Sequence, residues 1–414
     1  MPVLKWCVSF FNTTWSKLCE MTHMTLTFDA VSEAVPGQKW AARWQRSWPA
    51  YKAWFIARNG DHGPSASQCR TQMLHYMPEL VPVYDRLVQL AGGSDRAARF
   101  LSTWCPPKYL GGCSLAAAAD ATDVRLVRNY DLSPELNEGL LLRSEWTGRA
   151  VMGMVEFLWG LSDGINDAGL SVALAYGGRS ETAAGFGITT MVRYLLETCD
   201  TVDDALQALR RVPSHMAYNL VLADRRGTTA SVELSPGGGV KLMPQAIATN
   251  HQSGPSRADR PAFTRSYERH THLRTLKEKP RSLNRHFLAR PLLQDRYSEG
   301  FGTLFTAEYN PVAKTMCLIW RESRWNQVLD GFQEGRRTID YATATDRAVI
   351  QSTPAIADTG LDWTAAAYID WHQVAHDYAE GHGRSIHTYL PKHRGDCATR
   401  RAGGHSHSPC PGAL

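Results

Sequence analysis

The chain has no Cys-x-x-Cys pair, no zinc-ligand spacing, and no unbroken apolar run of the roughly 18 residues a membrane helix needs. Its nine cysteines stand singly and are odd in number. That argues against a disulfide framework and for a reducing compartment with mostly free thiols. Residues 1–23 carry Trp6, Phe10 and Phe11, but Asn12, Thr13 and Thr14 interrupt them, which makes a poor signal peptide. With Met21 and Met24 close behind, these residues read as an upstream extension. The cytoplasm is the expected location, with no membrane attachment. Charge of either sign is modest: 45 Lys and Arg against 40 Asp and Glu leave +5. The basic residues are scattered and not interleaved with aromatics, so nucleic acid is not an expected partner.

What is present fits a globular protein with appendages. Residues 24–112 read as helical. Trp40, Trp44, Tyr51 and Trp54 fall near helical spacing, 69–90 carries an amphipathic pattern, and Ser94 is placed to cap a helix running towards Trp104. The tryptophan stripe is expected to pack in a core. From Cys113 onward, strands are expected at 139–146, 151–157, 170–175, 218–224, 228–234 and 315–320. Two adjacent helices are expected at 185–199 and 201–212, the second capped by Thr201, and another at 262–277. Runs of strands broken by a helix pair indicate packed sheets with helices outside, an α+β protein. After about residue 330 the character changes. Residues 362–378 have the aromatics for one more helix, and 392–414 are expected to be disordered. His405 and His407 lie near Cys397 and Cys410 without defined ligand spacing, so no metal site is expected.

The chemistry concentrates at Gly111-Gly112-Cys113-Ser114 and Arg128-Asn129-Tyr130-Asp131. Arg128 follows Cys113 by 15 residues and Asp131 by 18, with two short apolar runs and the polar turn 120–123 between. This predicts a β-hairpin whose ends bring Cys113, Arg128 and Asp131 together. A guanidinium beside a thiol lowers its pKa and favours the nucleophilic thiolate. Glycine before the cysteine allows a strained or closely approached peptide. The thiol can attack that peptide, and hydrolysis would then cut between Gly112 and Cys113. The new terminus would carry nucleophile and α-amine base in one residue. A buried structural cysteine is the alternative reading of these residues.

Six segments in order resemble the acyl-coenzyme A:6-aminopenicillanic acid acyltransferase family and, more distantly, choloylglycine hydrolases and penicillin V acylases. They are the Cys113–Asp131 pattern, 162–171, Tyr218–Asp224 with Gly227 and Val232-Glu233, Thr249-Asn250, Ser266–Arg269, and Thr303–Phe305 with Tyr309–Pro311. The resemblance spans about residues 40–325. It implies an αββα four-layer sandwich of the N-terminal nucleophile hydrolase type. It makes 24–112 a helical propeptide or α-chain, 113–330 the catalytic β-chain, and 331–414 an appendage. The cleaved chains are expected to stay associated.

Asn250 follows an apolar stretch and occupies the place of the oxyanion-binding asparagine in the resemblance. A turn asparagine is the local alternative. His251 is a weaker candidate base. Arg269 is a candidate for orienting a carboxylate or pairing with Asp131, and Asn219 for substrate binding. The expected activity is an autoproteolytic cysteine amidohydrolase that cleaves a linear amide through a thioester. The alternatives are acyl transfer from an amide or thioester to an amine, and a non-enzymatic binding protein that keeps the fold. The partner expected is a small-molecule amide or acyl-thioester substrate, and the chemistry requires no metal or organic cofactor.

Overall fold

A computed structural model describes residues 24–109, 111–254, 261–277, 279–321, 323–341 and 346–349, with positions 369, 370, 373, 374, 377 and 389 beyond. The readings made of 1–23, of His405 and His407 and of the 392–414 tail lie outside the described residues, as does most of the helix expected at 362–378. The strands are β1 (Thr25–Ser32), β2 (Gly112–Ala119), β3 (Val124–Leu132), β4 (Leu140–Ser144), β5 (Val151–Glu156), β6 (Gly160–Asn166), β7 (Leu170–Tyr176), β8 (Tyr218–Asp224) and β9 (Thr229–Leu234). They continue with β10 (Val240–Leu242), β11 (Ile247–Ala248), β12 (Asp295–Arg296), β13 (Phe301–Asn310), β14 (Thr315–Trp320), β15 (Ser323–Val328), β16 (Gly335–Asp340) and β17 (Asp346–Val349). The helices used below are α1 (Gln38–Ala57), α2 (Ala66–Tyr76), α3 (Val81–Leu90), α4 (Asp95–Ser102), α5 (Ile188–Thr198), α6 (Val202–Arg211), α7 (Ser266–Thr275) and α8 (Leu283–Phe287).

Two large sheets organise this mixed α+β chain. A ten-stranded sheet runs β10-β9-β8-β7-β6-β5-β4-β1-β16-β17, and a seven-stranded one runs β11-β2-β3-β13-β14-β15 with β12 on β13. Strand alternation gives each sheet two apolar faces. Leu140 and Leu142 join a core with α1–α6, while Leu141 between them joins a core shared with Leu115, Leu126 and Leu304 of the other sheet. Likewise Leu126 faces the inter-sheet core, and Val127 faces Leu273, Leu283 and Phe287 of the α7–α8 region.

Several sequence expectations hold locally. Thr201 caps α6 reciprocally with Asp204, Ser94 accepts from the Ala97 N–H to cap α4, and Trp40 and Trp44 are buried in the core. Others need correction. The stretch before the hairpin is not wholly helical, because β1 lies inside the ten-stranded sheet, parallel to β4 and antiparallel to β16. Its alternation of Leu26, Phe28 and Ala30, all buried in the inter-sheet core, fits a strand. That sheet also extends past residue 330 through β16. The helix expected at 185–199 begins only at Ile188, because the backbone before it is spent on bridges: Cys105 N–H donates to Gly185 O and Gly187 N–H to Thr103 O, both at 2.8 Å. Among the described residues, no helix is long and apolar enough to cross a membrane.

Candidate active site

The β2–β3 hairpin forms in the expected register. Asp120 Oδ1 accepts from the N–H groups of Thr122 (2.8 Å) and Asp123 (3.0 Å), which closes the turn. Cys113 then sits opposite Tyr130, Gly112 opposite Asp131 and Leu115 opposite Arg128. Because the side-chain period is two, Cys113, Arg128 and Tyr130 share the inner face, and Asp131 projects from the other. Cys113 and Tyr130 line the inter-sheet core. Thus Arg128 reaches the thiol, while Asp131 lies on the opposite face and approaches Cys113 through the backbone.

On the inner face, Arg128 Nη2 donates to Cys113 Sγ at 3.2 Å. Its Nη1 donates to Ser162 Oγ at 2.7 Å and pairs with Asp163 Oδ1 at 3.3 Å, and the guanidinium stacks over Tyr130 at 4.6 Å. Arg128 and Asp163 are both fully buried. The outer side belongs to Asn250 and Arg269. Cys113 N–H donates to Asn250 Oδ1 at 3.0 Å, and Arg269 Nη2 donates to the same oxygen at 2.7 Å. Two donors on one oxygen settle the orientation of the amide. Its Nδ2 therefore points the other way, to Tyr176 O at 3.1 Å and towards Gly111 O at 3.5 Å. Arg269 also donates from Nη1 to Cys113 O at 2.6 Å and Ser114 Oγ at 2.8 Å, and that nitrogen lies 3.6 Å from Asp131 Oδ2. Thr303 Oγ1 donates to Asp131 Oδ1 at 2.7 Å, whereas Asp131 Oδ2 is buried without a hydrogen-bond donor among the described residues.

Gly112 is required by close approach. A Cβ there would meet the Phe301 ring at 2.3 Å and Asp131 O at 3.1 Å. Neither Gly111 nor Gly112 lies in the left-handed region, so strain of that kind is absent at the junction. Asn219 stands behind the site. Its Nδ2 donates to Thr249 O (2.8 Å) and His251 O (2.9 Å), clamping both neighbours of Asn250. The His251 ring bonds Ser266 Oγ through Nδ1 at 2.8 Å and packs against the Tyr267 and His270 rings.

Burial governs the electrostatics. It pushes the Cys113 thiol up to about 11 against the pull of Arg128, and Asp131 adds to the rise. The expected lowering of this thiol is thus overturned in the uncut chain: Arg128 is present, but desolvation outweighs it. Burial likewise raises Asp131 and Asp163 against the opposing charges of Arg269 and Arg128 respectively. Burial works against the charge of Arg128, yet Cys113, Asp163 and Glu156 together hold its pKa above the usual value. Burial, with His270 and Arg269, brings His251 down to about 4, leaving it neutral near pH 7.

Sequence reasoning assigned no role to Glu156, Ser162, Asp163 or Thr303. Burial lifts the Glu156 carboxyl to about 7, opposed by Arg128 and a hydrogen bond from Tyr130. It ends β5, where Phe157 and Leu158 turn the chain in left-handed conformations (φ 56° and 69°). Nothing in the local residue pattern marked it, since the turn that follows it, Phe157-Leu158-Trp159, is apolar. Ser162-Asp163 stood within a quoted motif, but only the inter-sheet packing shows that both serve Arg128.

Residues 118–325 match the profile of the family described as acyl-coenzyme A:6-aminopenicillanic acid acyl-transferase. No curated protein matches the chain. Among solved structures, it is similar to penicillin V acylase from Agrobacterium tumefaciens, with 14% identity over 55% of this chain and 91% of that one and a TM-score of 0.35. It is also similar to a mutant conjugated bile acid hydrolase from Clostridium perfringens (12% identity, 59% and 98%, TM-score 0.34). A third is a Caenorhabditis elegans N-acylethanolamine-hydrolyzing acid amidase ortholog (17% identity, 51% and 98%, TM-score 0.38).

Proposed function

Since the chain belongs to the acyl-coenzyme A:6-aminopenicillanic acid acyl-transferase family, we propose that it is an autoproteolytic amidohydrolase of small linear amides with Cys113 as nucleophile. The observation that carries this reading is the pairing of Cys113 with two separate partners. Arg128 touches its sulfur at 3.2 Å, and Asn250 holds its backbone N–H at 3.0 Å. The fold proposed is the αββα sandwich, supported by one core between the sheets and one on each outer face.

Processing comes first. Cys113 Sγ attacks the Gly112 carbonyl carbon, the C–N bond to Cys113 breaks, and the thiol proton passes to the freed amine. Water then hydrolyses the thioester, giving a carboxylate on Gly112 and a free thiol and α-amine on Cys113. That amine inherits Asn250 Oδ1, with the unsatisfied Asp131 Oδ2 nearby.

In turnover, the same sulfur attacks the substrate acyl carbon and the α-amine relays the proton to the leaving nitrogen. Asn250 Nδ2, released from Gly111, holds the oxyanion, a role worth roughly 2.7–4 kcal/mol in comparable sites. Arg269 fixes the amide so that Nδ2 is the donor. Water resolves the thioester to the acid and the free thiol. Asn219 acts on the position of Asn250 and not on substrate.

The test is turnover of acyl-amide chromogens by wild type and by Cys113→Ser and Cys113→Ala. The reading expects hydrolysis by the wild type and none by the alanine variant. Equal turnover by Cys113→Ala would end it.

A further inference from the structure

The turn between β5 and β6 runs against its own backbone preference. Phe157 and Leu158 both take left-handed conformations (φ 56° and 69°), which bulky side chains disfavour. Such a pair persists only where its surroundings impose it. Here the surroundings come mostly from the chain ahead of the Gly112-Cys113 junction. Trp40 Nε1 donates to Leu158 O at 3.0 Å, and Trp159 Nε1 donates to Leu101 O at 3.0 Å. Leu158 N–H donates to Glu138 Oε1 at 3.2 Å, and the Tyr51 hydroxyl donates to that same oxygen at 2.5 Å. The Phe157 ring lies 5.8 Å from the Tyr51 ring. Helix α1, which carries Trp40 and Tyr51, thus grips the turn by the backbone of Leu158 on both its N–H and its C=O sides.

The same hairpin holds Arg128, and it does so through an irregularity. Met154 pairs with Asp163 and Val155 with Leu161, which leaves Ser162 as an extra residue on β6. Regular alternation would send Ser162 and Asp163 to opposite faces. The bulge brings both to one nitrogen: Arg128 Nη1 donates to Ser162 Oγ at 2.7 Å and lies 3.3 Å from Asp163 Oδ1. Ser162 Oγ donates in turn to Asp163 Oδ1 at 3.0 Å. The other terminal nitrogen of Arg128 donates to Cys113 Sγ at 3.2 Å. Register in a hairpin is fixed by its turn. Ser162 follows the last turn residue, Trp159, by three positions, so the form of the turn decides where the bulge falls.

Resting on the reading of Cys113 as nucleophile, we propose that Trp40 and Tyr51 are positioning residues for the site. They hold the β5–β6 turn in its left-handed form, which keeps the bulge at Ser162 and so aims Ser162 and Asp163 at Arg128. Cleavage at the junction would leave both residues on the smaller piece. That piece is then a working part of the site in the processed protein and not only a cover over the uncut one.

The test uses the full chain as purified, with Trp40→Phe, Tyr51→Phe and Trp40→Phe/Phe157→Gly beside wild type. Thermal melting confirms that each is folded. Hydrogen–deuterium exchange read by mass spectrometry should be at least about tenfold faster over residues 157–163 in both single variants. On octanoyl and phenylacetyl 4-nitroanilides, each single variant should lower kcat by about 5- to 100-fold and leave KM within about twofold. The added Phe157→Gly should recover most of the kcat lost in Trp40→Phe, because glycine adopts a positive φ without that cost. Unchanged exchange over 157–163 in both single variants would overturn the proposal. So would a kcat loss that Phe157→Gly fails to recover in a folded double variant. A wild type that hydrolyses neither anilide would count against the amidase reading instead, and the exchange result would then decide the proposal alone.

Discussion

Asn250 Oδ1 accepts the backbone N–H of Cys113 at 3.0 Å. This one bond joins the group that cleavage would turn into an α-amine to the amide proposed to hold the oxyanion. Asn250→Ala is expected to lower kcat/KM on an acyl-amide by roughly 100- to 1000-fold in processed protein. A residue that merely closed a turn would behave otherwise. Its loss would lower the melting temperature, with about 1 kcal/mol of stability gone, and leave turnover per folded molecule unchanged. Melting and kinetics on one preparation separate the two.

Thiol reactivity should invert on processing. In the uncut chain Cys113 is 1% exposed and its thiol is pushed up to about 11, while Cys105 is half-buried. Limiting iodoacetamide should therefore label Cys105 before Cys113 in an uncut Gly112 variant, and Cys113 first in cleaved wild type. In the cleaved form Arg128→Gln should slow labelling at Cys113. Unchanged labelling in that variant would remove Arg128 from the site.

Gly112→Ala should arrest processing through packing. The added Cβ would meet the Phe301 ring at 2.3 Å, an overpacking of about 1–3 kcal/mol that displaces the junction. Gly112→Ala/Phe301→Ala should recover cleavage by making room. If the double variant stays uncut and folded, the glycine matters for a reason other than Phe301.

Glu156 gives a pH dependence with a definite sign. Its folded pKa of about 7 lies above the ordinary 4.5. Between those values the folded chain holds the extra proton, so this group's contribution to stability is full below about 4.5 and is lost as pH rises through about 7. Glu156→Gln should remove that slope from the melting temperature. Ionised Glu156 also disfavours the Cys113 thiolate, so the Gln variant should alkylate faster than wild type at pH 8 and equally at pH 5.5. A variant that alkylates no faster at pH 8 would separate Glu156 from the thiol.

Much of the site was legible in the sequence because hairpins are local. The spacing of Cys113 and Arg128 around the turn 120–123 sets the register, and period two puts both on one face. Asp131 shows the limit of that reasoning. The same alternation sends it to the opposite face, where Arg269 and Thr303 meet it from segments more than 130 residues away along the chain. The upward push on the Cys113 thiol in the intact chain has a related origin. A guanidinium can be read from sequence, but the depth at which two sheets bury it cannot. β1 was missed because eight residues of strand stand beside a long run of helix, and its partners β4 and β16 are distant in sequence.

Intact mass of purified protein, with and without Cys113→Ala, tests the central claim most directly. The account expects wild type to resolve into pieces of 112 and 302 residues (414 − 112 = 302), the larger beginning Cys-Ser-Leu, with the variant a single chain. A wild type that stays whole while hydrolysing an acyl-amide, or a Cys113→Ala chain cut at the same bond, would contradict it.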